Sequence, residues 1–379
     1  MTTATYRSSE SAWWETPLQT RNEHFGSFVS ADFPEMSARQ PEWRLSPLER
    51  FAPLVSGQID GGRYSASVTN AELAWVPINE VKSESPAPED ILGAIAWEST
   101  TEALVVTVSG EGEPAVLSRE IDGIRAAHLV VRFAPNTHRT LIIENSGDCS
   151  LTENVVIVVG DGSRASVVHL GEWADTTTHN AAHTATLGKS AHLDHILVSL
   201  SGSVQRVNPS LLLAGTGSSV YSAGACFADA GRHVEHRVFV HHIAPNTESD
   251  VLYKGALHGK GTRTVWVGDV LIGRDASGTK SYEANRNLVL SDGARADSIP
   301  NLEIETGEIE GAGHASANGR LDNEHLFYLQ SRGISENEAR RLVAIGFLLD
   351  VIGKIGVTTL EERLTERIAE SLDALEADR

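Results

Sequence analysis

A chain of 379 residues with 41% apolar and 22% charged content is expected to fold, and its length suggests two or three structural units. Its formal net charge of −20 excludes a general affinity for nucleic acid or anionic lipid, which needs clustered Lys and Arg. The two cysteines, Cys149 and Cys226, fit no CxxC pattern, so a disulfide framework is not expected and a reducing compartment is. No apolar run approaches the ~18 residues of a membrane helix. The opening MTTATYRSSESAWWETP lacks the basic-then-apolar order of a secretory signal, so the expected location is cytoplasmic.

In chain order, a first region of mixed or helical character is expected over 1–90. It carries Trp13, Trp14, Trp43 and Trp75 and the segment PEWRLSPLERF (Pro41–Phe51). KSESPAPED (Lys82–Asp90) reads as a linker or exposed loop. The next region, over 91–318, is dominated by β-branched runs: LVVTVSG, HLVVRF, RTLIIEN, NVVIVVGDGSRASVVHL and HRVFVHH. Their spacing of about 10–12 residues suits a sandwich, a barrel or a β-solenoid. No crisp internal repeat is visible, which leaves a solenoid only with loose coils. GDGS (Gly160–Ser163) reads as a tight turn between two valine runs.

A helical region is expected over 319–379. Asp322 can cap a helix through EHLFYLQ, and SENE (Ser335–Glu338) is a capping box. Leu342, Ile345, Leu349 and Ile352 then recur at helical spacing. TLEE (Thr359–Glu362) reads as a second capping box, followed by a stripe of Leu364, Ile368, Leu372 and Leu375, with Gly356 and Thr358 separating the two helices. Such a tail either packs on its own body or offers a surface to a partner.

Fifteen histidines make metal chemistry the sharpest candidate. His179, His183, His192 and His195 lie close in sequence, and His233, His236, His241 and His242 crowd HVEHRVFVHH. Neutral imidazole suits Zn, Fe and Ni, which raises a His-rich, cupin-like β-barrel metalloenzyme as an alternative. In a strand, however, 233 and 241 would share one face and 236 and 242 the other, and no third or fourth ligand stands at a recognisable spacing. KGALHGKGT (Lys254–Thr262) fails as a phosphate loop, because Lys254 stands at its first glycine and Gly261 at its Ser/Thr. No G-x-S-x-G elbow and no H-E-x-x-H is present, so no catalytic residue is assigned and the chain is read as a non-enzyme.

SDGARADSIPNLEIETGEIEGAGHASANGRLDNEHLFYLQSRGISENEARRLVAIGF (Ser291–Phe347), the block His236–Gly268 and PEWRLSPLERF resemble the SufB/SufD family of iron–sulfur cluster assembly scaffolds. Length and the PEWR segment look most like its SufD branch. SufB-type chains carry Glu after the histidine that corresponds to His314, and here Ala315 follows it. The resemblance implies a right-handed parallel β-helix flanked by N- and C-terminal helical regions. It implies pairing with a SufB-like subunit through the β-helix, binding of a SufC-like ABC ATPase through the C-terminal helices, and a homodimer when the chain is alone. It implies that His314 helps to hold iron or a transient Fe–S cluster at the seam with the SufB-like subunit, and that Phe327, Tyr328, Arg332, Gly333 and Ile334 begin the ATPase-docking region. Ala312 stands where many relatives carry Cys, so this chain brings an imidazole but no thiolate to that seam. Two unpatterned cysteines cannot by themselves supply the four ligands a stable cluster wants. Reduced flavin is also associated with such complexes, but no dinucleotide fingerprint supports it here.

Overall fold

The computed structural model describes residues 25–377, apart from 230 and 322, so the expected Asp322 cap lies outside the described residues. Eighteen strands are found among them: β1 (Ser65–Thr69), β2 (Glu72–Pro77), β3 (Glu102–Val108), β4 (Ala115–Glu120), β5 (Gly123–Phe133), β6 (His138–Gly147), β7 (Cys149–Val159), β8 (Arg164–Trp173), β9 (Thr178–Leu187), β10 (His192–Ser199), β11 (Val204–Leu213), β12 (Ser219–Ala228), β13 (His233–His242), β14 (Glu248–Leu257), β15 (Arg263–Ile272), β16 (Thr279–Val289), β17 (Arg295–Ile304) and β18 (Ile309–Arg320). Five α-helices accompany them: α1 (Ala52–Ser56), α2 (Ile91–Ser99), α3 (Asn323–Ser331), α4 (Glu336–Ile352) and α5 (Thr358–Ala377).

From β3 onward the strands alternate between two nine-stranded sheets, ordered β1-β4-β6-β8-β10-β12-β14-β16-β18 and β17-β15-β13-β11-β9-β7-β5-β3-β2. Each strand therefore pairs with the strand two places further along the chain, and these pairings are parallel. Only the first rungs, β1 on β4 and β2 on β3, are antiparallel. The result is a β-solenoid of about eight turns with helices at both chain ends. No closed barrel forms, which removes the cupin-like alternative.

The repeat is real but irregular in length. Arg164 lies 26 residues after its rung partner His138, whereas Lys280 lies 32 after Glu248. A fixed period is invisible for that reason. What recurs is geometry at one corner, where Asn136, Gly162, Ser190, Gly217, Asn246 and Gly278 all have φ between 53° and 72°. Asn and Gly tolerate this left-handed region best. Each such residue donates its N–H to the carbonyl of the next turn: Asn136 to Asp161, Gly162 to Lys189, Ser190 to Thr216, Gly217 to Pro245.

Alternate residues of every rung face the lumen, and most are aliphatic: Leu141, Ile143, Val155, Ile157, Leu193, Leu211, Val240, Val251 and Ile272 belong to one buried cluster. Each such side chain contributes about 1.5–3 kcal/mol on burial. The N-terminal segment covers the outer face of one sheet. Trp43 is buried there under the Arg206 guanidinium, 4.1 Å from its ring centre. Asp90 caps α2 by accepting from the Gly93 N–H (2.8 Å), and Thr152 and Asn154 of β7 donate to carbonyls of that helix. KSESPAPED is not a free linker: Ser85 is buried against His128 (2.9 Å), and Glu84 takes both ends of the Arg132 guanidinium.

The helices α4 and α5 cover the outer face of the other sheet. Ser335 caps α4 as expected, accepting from the Glu338 N–H (3.3 Å). Of the expected α4 stripe, Ile352 is buried and Ile345 and Leu349 are half-buried against the same cluster, whereas Leu342 is 43% exposed, and Ala344, Leu348 and Val351 complete the buried face. The sheet surface selects the stripe, and Ala344 fits where helix and sheet approach closely. α5 begins at Thr358, so Thr359 is inside the helix and is not its cap, and the Glu361 carboxylate instead accepts from the Gly356 N–H (2.8 Å). Leu364, Ile368 and Leu372 are buried as expected, while the Leu375 side chain lies outside those described. The Lys254 ammonium, buried on β14, donates to the Phe347 carbonyl and pairs with Asp350, which fastens α4 to the solenoid.

Candidate functional site at the open end of the solenoid

The lumen carries a polar column that its aliphatic pattern conceals. Arg119 donates to Asn145 (2.7 Å) and forms a two-pronged pair with Glu153 (2.7 and 3.1 Å), all fully buried. Burial opposes ionisation of Glu153, but the charges and hydrogen bonds of Arg119 and His179 hold it well below the usual carboxylate range. His179 sits 2.8 Å from Glu153, and His169 3.2 Å from Asn145. The rings of His169 and His183 meet edge to face at 4.8 Å, and His183 Nδ1 lies 3.0 Å from His195 Nε2. Further along, His236 packs on Tyr253 at 5.2 Å, and Tyr253 shares a hydrogen bond with Ser222 (3.2 Å).

The histidines near one another in sequence are thus divided by the pleat. His179, His183, His195, His236 and His242 face inward, whereas His192 pairs with Asp194 (3.0 Å) and His233 with Glu235 (3.1 Å) on the outer faces. The expected split of His233 and His241 from His236 and His242 is what the register gives. Burial lowers the inward imidazoles, to about 4 for His195 and His236 and about 3 for His242. Among the described residues, no group of three or more His, Cys, Asp and Glu could hold a metal ion. Cys149 and Cys226 are free and buried, and burial pushes both thiols up to about 12, far from reactive thiolates.

His314 lies on β18, which is the edge of its sheet and has β16 as its only strand neighbour there. It stands in register with Glu283, while Ala312 stands with Ser281 and Ser316 with Asn285. Ala312 packs on the lumenal core, and Ser316 bonds across to Ser298 of β17 (2.8 Å). His314 belongs to this inward row but is exposed, because among the described residues no further turn closes the lumen above it. Glu283, one rung down, is 2% exposed. Burial, then the charge of Asp269, pushes its carboxyl up to about 8. Sequence reading missed Glu283, whose only signal was an acid on the inward parity of a strand that holds Ser281, Asn285 and Asn287 on the same face.

Among the described residues, both edges at this end are unpaired. β17 and β18 terminate their sheets, and Ile299, Ile304 and Tyr282 are exposed beside them. Such edges are templates for pairing with another chain. α3 follows β18 directly and presents Phe327 (72% exposed) and Tyr328 (57% exposed). Arg332 donates to the Tyr328 hydroxyl (3.0 Å), which holds the ring outward. Gly333, at φ 87°, ends the helix, and the Ile334 N–H returns to the Leu329 carbonyl (3.3 Å). Glycine is needed there because the left-handed turn clashes with a Cβ. The structure thus places His314 and the Phe327–Ile334 segment at the same end of the molecule, on different elements. Among the described residues, no helix is long and apolar enough to cross a membrane.

The two parallel sheets, the edge strands at one end and the helical tail define a β-solenoid class of protein. Sequence comparisons place it within a family. The profile described as "SUF system FeS cluster assembly, SufBD core domain" matches residues 116–347. The chain is 42% identical to the "Iron-sulfur cluster assembly SufBD family protein Rv1462" of Mycobacterium tuberculosis, over 94% of each chain. It is 40% identical to the SufBD family protein ML0594 of Mycobacterium leprae, over 93% of this chain and 94% of that one. The "Iron-sulfur cluster assembly protein SufB" of Bacillus subtilis is 27% identical over 51% of this chain and 41% of its own length. The chain belongs to the SufBD family of iron–sulfur cluster assembly proteins.

Proposed function

We propose that this chain is the SufD-like, non-enzymatic scaffold subunit of a cytoplasmic SufBCD-type complex that builds Fe–S clusters and transfers them to apo-proteins. The observation that carries this reading is the position of His314. It is an exposed imidazole in the inward row of an unpaired edge strand, where a second solenoid could continue both sheets. A SufB-like subunit would pair there through its β-helix and supply the thiolates that buried Cys149 and Cys226 cannot. In this reading His314 contributes one nitrogen ligand to iron or to a cluster held as cargo. A cluster shared across a seam is released when the seam shifts, whereas a four-Cys site within one chain would retain it.

The functional parts of this reading are an N-terminal region (1–90), the β-helix core (91–318) and an ATPase-docking region (319–379). A SufC-like ABC ATPase would seat on α3, with Phe327 and Tyr328 as anchors and Arg332, Gly333 and Ile334 shaping the turn behind them. Aromatic side chains exposed to this degree are unusual unless something covers them. Nucleotide-driven movement of the ATPase would then pull on α3, one residue pair away from the end of β18. Alone, the chain would pair with itself through the same edges.

Co-expression with candidate SufB and SufC partners, followed by pull-down on this chain and sizing of the eluate, tests the assembly. One SufB and two SufC per chain is the expected stoichiometry, and a chain that elutes without partners overturns the reading. His314→Ala should leave the complex intact and lower cluster build-up, read from the visible absorption of the reconstituted complex. Unchanged cluster build-up would remove His314 from the site.

A further inference from the structure

Resting on the reading of His314 as a ligand at the open end, we propose that Glu283 and His314 together hold a single divalent transition-metal cation there, through Glu283 Oε1 and one imidazole nitrogen. Three observations carry this. First, the two residues are register partners on adjacent parallel strands, β16 and β18, so their side chains leave the same face of the sheet about 4.8 Å apart at the backbone. The inward parity is fixed by their neighbours, since Ser281 bonds Ser249 (2.8 Å) and Asn285 bonds the Tyr253 carbonyl (3.1 Å) within the lumen.

Second, Glu283 is 2% exposed, yet its Oε1 has no hydrogen-bond partner. No Lys or Arg of the described residues forms an ion pair with it, unlike the buried Glu153 and Glu235, which have Arg119 and Arg206. A buried carboxyl oxygen left without a partner costs free energy, and a cation that visits it offsets that cost. Third, the fold leaves room for it. Gly268 lies across the lumen on β15, and a Cβ there would overlap both the Glu283 carboxylate and the Trp266 ring. The carboxylate therefore projects into a space that a glycine keeps open, directly beneath the mouth.

One carboxylate oxygen and one imidazole nitrogen suit Fe(II), Co(II), Mn(II) or Zn(II) and leave two or more positions for water or for a partner's groups. Two protein ligands give a site that loads and releases, as a site for cargo must. In this arrangement Glu283 replaces, from the floor of the mouth, the side-chain ligand that Ala312 lacks on the edge strand.

The test is anaerobic titration of the full-length chain with Co(II) alone, read by visible d–d absorption and equilibrium dialysis. One Co(II) per chain is expected, and Glu283→Gln and His314→Ala should each weaken binding at least tenfold. His314 is exposed, so His314→Ala keeps the test alive if Glu283→Gln fails to fold. Glu283→Gln that melts like the parent and binds Co(II) with parental affinity overturns the proposal, as does His314→Ala with parental affinity. The two readings separate cleanly. Loss of cluster build-up in His314→Ala with full Co(II) binding in Glu283→Gln sinks the cation pair and leaves His314 at the seam. Loss of Co(II) binding in both variants, with cluster build-up intact in His314→Ala, keeps the cation pair and removes it from cluster assembly.

Discussion

Mild acid should destabilise this protein through six buried histidines. His128, His195 and His236 are held at about 4 and His242 at about 3, and His169 and His183 well below the ordinary value, in each case chiefly by burial. The unfolded chain binds a proton at each near pH 6.5 while the folded chain does not, so stability rises with pH between the folded and unfolded values and falls as pH drops below about 6.5. From pH 7 to 5.5 each imidazole contributes a loss on the order of 1 kcal/mol. Six together remove about 5–7 kcal/mol, a large share of a typical folding free energy. With an unfolding entropy of about 2.1 cal/mol/K per residue, the melting temperature should fall on the order of 8 °C. The assay is calorimetric or circular-dichroism melting in buffers matched for ionic strength at pH 7.0, 6.2 and 5.5. Relief of the −20 net charge on acidification acts in the opposite direction, so it cannot produce the fall. A melting temperature that is level or rising from pH 7.0 to 5.5 would refute the reasoning.

Other perturbations separate packing from recognition. Arg119→Leu strands the fully buried Glu153 carboxylate and should cost about 3–5 kcal/mol by denaturant midpoint, whereas Arg119→Leu with Glu153→Leu should recover much of that loss. Phe327→Ala with Tyr328→Ala should leave far-UV circular dichroism and melting unchanged, because both rings are exposed, and weaken ATPase binding more than tenfold. A parallel fall in melting temperature would mark them instead as packing residues. Lys254→Met removes the donor to the Phe347 carbonyl and the partner of Asp350, at about 1–3 kcal/mol. It should open α4 to limited proteolysis while the solenoid stays resistant.

Much of the architecture was legible in the residues. The β-branched runs between Leu104 and His242 are strands, SENE caps a helix, and GDGS turns a corner with Gly162 at φ 69° and a Ser163-to-Gly160 hydrogen bond. Strand parity correctly divided His233 and His241 from His236 and His242, because the pleat alternates regardless of fold. The period was not legible, because turns of 25 to 32 residues blur any fixed spacing while only the corner geometry recurs. The α4 stripe was legible in part: Ile345, Leu349 and Ile352 pack inward, but helical periodicity names several apolar faces, and only the sheet beneath selects Ala344 and Leu348 over Leu342. Lys82–Asp90 read as a linker or exposed loop since proline and serine mark loops; it is a loop, but one tied down by His128 and Arg132, which are over 40 residues away in sequence.

The sequence by itself determined the strand-rich body, the helical tail, and a family likeness that pointed to His314 and to Phe327 and Tyr328. Only the tertiary structure decided that His169, His179, His183, His195 and His236 form one buried column, that Glu283 lies one rung beneath His314, and that both sheets end unpaired at that mouth. These are relations between residues 12 positions apart, as for His183 and His195, or 31, as for Glu283 and His314, set by rung register and by which strands face each other across the lumen. Register follows from loop length and corner geometry rather than from any local pattern of side chains.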